Sequence, residues 1–564
     1  MVASSSRPAS AAPPTLPDIS DHAGSKLIKH HIVPPYGGGR LPRGVWPQTP
    51  ADRLPQLVLS SNSKSYPDAL TFILVFNVEH HREVNVAERK KQTVVSSGIS
   101  GLDEILRGGL PASNLYIVQG APGSGKTTAA LQFLRAGVAR GERCIYVSLS
   151  QTRAELESIA LSHGWTLDGI RVEELSASDS INRAADQTIF QTTELRLDET
   201  RKTIESAIED HKPSRLVYDS LLEIRLITGD SPRFRRELIA FKAFLAQRNI
   251  VALLLDTQTY EMDRTGEEVD GIAHGVIRLD KSLEEYGGVR RRIEVGKMRG
   301  VPVADGYHDM AIREGEGVVV FPRIVPGEAA RTVKPQLIKS GVDALDEMFG
   351  GGQESGTTTL VIGQAGTGKS TMASLYATAA LKRGESVGLF LFEERIETFF
   401  RRSEGLGMDL RQFHQDERLI IRDFNPNEIS PGEFGQIVQQ SVSGEKVKVV
   451  VIDSFTGYLN SLPHREKAVR DIQSLLKYLA RAGVLTILIV AQHGLLGQGI
   501  GIDVDVSFLG DTVLLLRIAE HEGRLRRSIT VVKKRHGPHD LDVRELFIQS
   551  SGVGVIPYNP LPEA

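Results

Sequence analysis

The chain reads as α/β: two tandem domains, each a mostly parallel sheet flanked by helices, behind a low-complexity N-terminal tail. Three observations predict this. Short apolar runs without polar alternation, such as TTLVIG, SVGLFLF and KVVVIDS, alternate with helical patterns, as strands buried on both faces do. The segment Ser97–Thr128 aligns without a gap to Ser340–Thr371, an offset of 243 positions from Lys126 to Lys369. Both copies contain the glycine-rich pattern G-x-x-x-x-G-K-[S/T] between such a strand and such a helix.

Residues 1–88 are rich in Ser, Pro, Ala and Gly and are expected to be largely disordered, with ALTFILVF (Ala69–Phe76) read either as a strand or as a loosely packed segment. The first domain is expected over 89–331 and the second over 332–564, with the Pro/Gly-rich stretch Arg313–Gln336 ending the first and joining them.

The loops are GAPGSGKT (Gly120, Gly123, Ser124, Gly125, Lys126, Thr127, then Thr128) and GQAGTGKS (Gly363, Gly366, Thr367, Gly368, Lys369, Ser370, then Thr371). Glycines let backbone N–H groups wrap a phosphate, and the helix that follows adds partial positive charge. Lys126 and Lys369 would reach the outer phosphates of ATP, and Thr127 and Ser370 would ligate Mg2+. A magnesium-side acid is expected at the end of a later buried strand, and RLVYDS and VKVVVIDS supply Asp219 and Asp453.

Hydrolysis also needs a group that activates water. The register of the duplication sets Ser150 and Gln151 of the first copy opposite Glu393 and Glu394 of the second. In RecA-like P-loop proteins an acid stands there, at the end of the strand after the P-loop helix. With the two loops and the SG-x-x-x-LDE lead-ins at Ser97–Glu104 and Ser340–Glu347, the chain resembles the KaiC family, tandem RecA-like ATPases that stack as two hexameric rings. The resemblance spans about residue 90 to 555.

The resemblance implies that Glu393 and Glu394 are the catalytic pair, working with Lys369, Ser370 and Asp453, while Lys126, Thr127 and Asp219 bind nucleotide in the first domain. It also implies that the K-x-R pairs Lys297/Arg299 and Lys533/Arg535 touch a neighbouring subunit's nucleotide; solvated hairpin faces or a nucleic-acid patch are the other readings of these basic stretches. Gln492 is expected to sense the γ-phosphate or to cap a strand. The family's phosphoacceptor pair falls on Ser507 and Phe508, so one hydroxyl survives, and with the short C-terminal peptide a full oscillator is not expected. Because serine and glutamine take no proton from water, the first domain is expected to bind ATP mainly for ring assembly and the second to hydrolyse it.

The implied partners are further copies of the chain, as a homohexamer with ATP at its interfaces, and a KaiB-like or signalling protein. A net charge of −3 gives no general pull toward nucleic acid or anionic lipid. A single cysteine excludes an intramolecular disulfide framework, and no signal-like N-terminus is present, so a cytoplasmic protein is expected. A RecA/RadA- or DnaB-like DNA-dependent ATPase and a nucleotide-gated scaffold stay open as alternatives.

Overall fold

The computed structural model describes residues 93–175, 192–228, 231–257, 269–283, 288–325, 334–443, 446–460, 462, 465–492, 506–521, 523–550 and 552–558. The tail expected over 1–88, with its strand candidate, lies outside the described residues.

Two nine-stranded sheets carry the fold. The first holds β1 (Leu115–Gly120), β2 (Cys144–Ser148), β3 (Ile170–Glu174), β4 (Arg215–Asp219), β5 (Val251–Thr257), β6 (Gly275–Ser282), β7 (Arg290–Met298), β8 (Tyr307–Arg313) and β9 (Gly317–Phe321). Its spatial order is β9-β8-β7-β6-β1-β5-β4-β2-β3. The second repeats the order as β12-β11-β13-β14-β10-β15-β16-β17-β18. Those strands are β10 (Thr358–Gly363), β11 (Ser386–Leu391), β12 (Leu419–Asp423), β13 (Val447–Asp453), β14 (Leu485–Ala491), β15 (Thr512–His521), β16 (Arg524–Lys534), β17 (Arg544–Gln549) and β18 (Gly552–Pro557).

The helices that bear on the site are α1 (Lys126–Val138), α2 (Arg153–Ser162), α3 (Leu221–Thr228), α4 (Lys369–Lys382), α5 (Ile396–Glu404), α6 (Pro431–Val442) and α7 (Phe455–Asn460). Successive strand residues feed opposite cores. Tyr116 and Val118 join one cluster while Leu115 and Ile117 join the other. In the second sheet Val361 faces one core and Leu360 and Ile362 the other. Both faces are covered, which is why these strands carry no polar alternation.

Six strands of each sheet run parallel, and three more extend it antiparallel beyond β6 and β15. The extension shows the other strand signature. Within β7 the side chains of Ile293 and Val295 are buried and alternate with partly exposed Arg292 and Glu294. Part of the stretch read as a linker is therefore strand: β9 is buried throughout and pairs with β8.

The edge of the first sheet meets α6. Ser430 caps that helix by accepting a hydrogen bond from the Glu433 N–H, and Pro431 follows at its first position. Asp309 on β8 accepts from the Gly432 N–H at 2.7 Å, Arg290 donates to the Ile429 carbonyl at 2.8 Å, and Arg313 pairs with Glu433.

Cys144 on β2 is fully buried, and burial pushes its thiol up to about 11. The thiolate is the reactive species. Native protein at pH 8 is therefore expected to leave Cys144 unmodified by iodoacetamide, and unfolded protein to be fully alkylated, as intact mass would read.

Candidate functional site

β1 runs into the first glycine loop and α1, and β10 into the second loop and α4. Gly123 and Gly125 adopt φ of 73° and 107°, and Gly366 and Gly368 repeat this at 78° and 100°. A side chain is strained in that region, so both loops depend on glycine to turn their N–H groups inward. Lys126 donates to the carbonyls of Gly120 at 2.7 Å and Ala121 at 3.1 Å, and Lys369 to that of Gln364 at 2.8 Å. Burial lowers the pKa of both ammonium groups, and the carboxylates of Asp219 and Asp453 pull them back up.

These aspartates end β4 and β13, two strands from the loop strands. Asp453 is buried, and its carboxyl is pushed up to about 6, first by burial, against a hydrogen bond from Ser370 and with Glu394 and Glu393 raising it further. A cluster of this kind gains from a hard dication, and a hydroxyl beside a carboxylate is the donor set that Mg2+ takes together with water and phosphate oxygens. In the first half Tyr146 intervenes, donating to Asp219 at 2.6 Å and lying within hydrogen-bonding reach of Thr127. Burial raises the Asp219 pKa, the Tyr146 hydroxyl lowers it, and Glu223 raises it again.

The strand-end positions differ between the halves. Glu393, just past β11, accepts from Ser454 at 2.6 Å, the residue after Asp453. Glu394 gives both oxygens to Arg402 on α5, at 3.2 and 2.8 Å. At the end of β2, Ser148 Oγ donates to the Gln151 carbonyl at 2.6 Å and accepts from its N–H at 3.0 Å, closing a turn that holds Ser150 at the surface. Glu155 is taken up by the Thr152 capping box of α2 and Glu157 by Arg153, so neither acid reaches Asp219. A different carboxylate does come close. Glu223, in the first turn of α3, accepts from Ser220 Oγ at 2.5 Å, and Ser220 is the residue after Asp219.

The K-x-R pairs lie away from their own loops. Lys297 donates to the Asp270 carbonyl and Arg299 to that of Gly271. Lys533 donates to the carbonyls of Ser507 and Gly510, and Arg535 pairs with Asp511 at 3.3 Å. Met298 pairs with Gly275, which pairs with Tyr116. Gly120 is four residues further along β1, roughly 13 Å at the rise of a strand. Ser507, in a short 3-10 turn with exposed Phe508, sits beside the second pair. Gln492 follows β14, with its N–H on the Gly363 carbonyl at 3.0 Å.

Two arginines that the sequence reading passed over do touch the loops. Arg291 donates to the Gly123 carbonyl at 3.5 Å and Arg527 to that of Gly366 at 3.0 Å. They hold equivalent places, paired across from Lys281 and Ile518. Only the repeated register of the antiparallel strands could have flagged them.

Comparison with known proteins agrees with this duplicated site. The family model described as "ATPase: KaiC" matches twice, over residues 95–324 and 338–559. The chain belongs to the KaiC family of ATPases. It is 28% identical over 467 residues to the circadian clock protein KaiC3 of Synechocystis sp., covering 82% of this chain and 91% of that protein. It is 28% identical over 474 residues to the circadian clock oscillator protein KaiC of Parathermosynechococcus lividus, covering 83% and 85%. KaiC2 of Synechocystis sp. is 29% identical over 469 residues, covering 82% and 81%. The KaiC matches span both sheets, and each half carries its own P-loop. No described helix is long and apolar enough to cross a membrane.

Proposed function

We propose that this KaiC-family ATPase binds ATP with Mg2+ at both P-loops, assembles as a homohexameric ring with nucleotide between subunits, and hydrolyses ATP in its second half through Glu393. The observation that carries this is the convergence of Lys369, Ser370, Asp453 and Glu393 at the ends of β10, β11 and β13. Mg2+ would be held by Ser370 with Asp453 and by Thr127 with Asp219, and would neutralise charge building on the phosphates. Lys369 would bind the outer phosphates, and Glu393 would take a proton from the attacking water. Glu394, tied to Arg402, would hold the strand end in place.

The distance of Lys297, Arg299, Lys533 and Arg535 from their own loops supports contact with a neighbour's nucleotide, where cations stabilise transition-state charge only in the assembled ring. Ser507 lies beside Lys533, so phosphate transfer to it would also cross a subunit boundary, and Phe508 leaves no second acceptor. A KaiB-like or signalling protein would read the state of the ring. ATP at the first loop stabilises assembly by mass action whether or not it is cleaved. Whether it is cleaved turns on Glu223.

The test is ATP turnover and native mass for Lys126→Ala and Lys369→Ala, with γ-labelled ATP reporting phosphate on Ser507. Lys369→Ala is expected to remove second-site turnover, and Lys126→Ala to loosen the ring and remove any turnover at the first loop. Intact rings and unchanged turnover in both variants would sink the proposal.

A further inference from the structure

Each half places a serine directly after its strand-end aspartate, and each serine hydroxyl donates to a glutamate. In the second half the acceptor is Glu393, arriving from the end of β11 at 2.6 Å. In the first it is Glu223, arriving from the first turn of α3 at 2.5 Å. The two carboxylates thus meet equivalent hydroxyls by different routes: Glu393 across 61 positions, Glu223 locally as the third residue of the helix that Ser220 precedes. Unlike the similarly placed Glu155, Glu223 is close enough to Asp219 to raise that carboxyl's pKa.

The exchange is reciprocal. Glu223 stands four residues after Asp219, and the residue four after Asp453 is Gly457. A Cβ built at Gly457 would lie 2.9 Å from Glu393 Oε1 and 3.0 Å from its Cγ. The Glu393 side chain therefore fills the room that a side chain from this helix position would enter. Where the strand end gives only Ser150 and Gln151, that helix position carries the acid instead.

α3 is fixed where it needs to be. Arg225, two residues past Glu223, donates to both oxygens of Asp256 on β5 at 3.2 and 3.3 Å, and the Asp256 side chain is 2% exposed. β5 lies beside β1, the strand that leads into the P-loop. The pair ties the helix bearing Glu223 to the strands that bear the phosphate site. In the second half the places of Asp256 and Arg225 are taken by Val490 and Leu459, both buried.

We propose that Glu223 is the water-activating base of the first ATP site, replacing the missing strand-end acids. The first half is then a hydrolytic site in its own right and not only an assembly ligand. In the step it serves, the water oxygen bonds to the γ-phosphorus. The bond from that phosphorus to the bridging oxygen breaks, and ADP leaves with the electron pair. Glu223 accepts a proton from the water and returns it to the phosphate released. This inference rests on ATP being bound at the first loop.

The experiment uses the full chain with Glu393→Gln and Glu394→Gln, which silence the second half. Measurable turnover is expected to remain. Adding Glu223→Gln should lower it by about 10²-fold or more while binding of a fluorescent ATP analogue at the first loop is unchanged. Adding Ser150→Glu with Glu223→Gly instead rebuilds the second half's arrangement and should restore the rate. The proposal is overturned if the Glu393→Gln, Glu394→Gln chain has no turnover while the unmodified chain does. It is equally overturned if Glu223→Gln leaves the remaining rate unchanged, or lowers it only by abolishing nucleotide binding. Absence of turnover in the unmodified chain would instead refute the ATPase reading itself.

Discussion

Glu393→Gln is expected to lower hydrolysis at the second site by about 10²–10⁴-fold while leaving its affinity for ATP intact, the usual penalty for losing a positioned general base. The substitution keeps size and hydrogen bonding to Ser454, so it removes the proton acceptor and little else. Single-turnover hydrolysis of preloaded ATP, with Glu223→Gln in the background to exclude the first site, isolates the effect. Glu394→Gln should cost less, because that carboxylate is engaged by Arg402 and acts on the position of the strand end. Equal losses for the two would mean that the Arg402 pair does not separate their roles.

Arg215→Met is expected to destabilise the first half by about 3–5 kcal/mol, the range for breaking a buried ion pair from one side. Arg215 is fully buried at the start of β4. It pairs with Glu142 at 2.5 Å and donates to the carbonyls of Ser96 at 2.9 Å and Phe133 at 2.8 Å. Methionine keeps part of the volume but leaves both carbonyls without their donor. Glu142 stays 27% exposed and recovers some hydration, which favours the lower end of the range. Calorimetry should show the transition of the first half moved down by roughly 6–12 °C for a 3 kcal/mol loss, with the second-half transition unmoved. The second half has Val449 at this place and needs no such network.

Much of the site was legible because its parts are local. A glycine loop between strand and helix is a contiguous pattern, and an aspartate ending an apolar run is nearly one. The contrast between Ser150–Gln151 and Glu393–Glu394 was legible too, because the 243-position offset of the glycine loops carries the one pair onto the other. Glu223 was not. Between the loop lysines and the strand-end aspartates the offset falls from 243 to 234 positions, and there Glu223 aligns with a glycine. Ser220 and Glu223 stand three residues apart at the start of α3, so SLLE reads as an ordinary helix beginning and nothing in it marks the carboxylate as the counterpart of Glu393. The antiparallel strands β7–β9 and β16–β18 escaped for a related reason. Apart from the buried run of β9, their mixed polar and apolar residues lack that signature, and Arg291 and Arg527 reach the loops only once those strands are paired.

The encounter of Gly457 with Glu393 bears on how such a duplication can diverge. A side chain at 457 would meet the end of the Glu393 side chain, so an acid added on the helix displaces that carboxylate while the strand-end acid is still in place. Removing the strand-end acid first leaves Ser454 with no carboxylate to donate to. Each half thus holds a matched pair of residues, and a single-residue step between the two arrangements either displaces Glu393 or leaves the serine without its carboxylate. Chimaeras that graft β11 and its turn into the first half without α7 would bring two carboxylates into one space. The reciprocal graft would bring none, so the smallest exchangeable piece is the strand end and the helix taken as one.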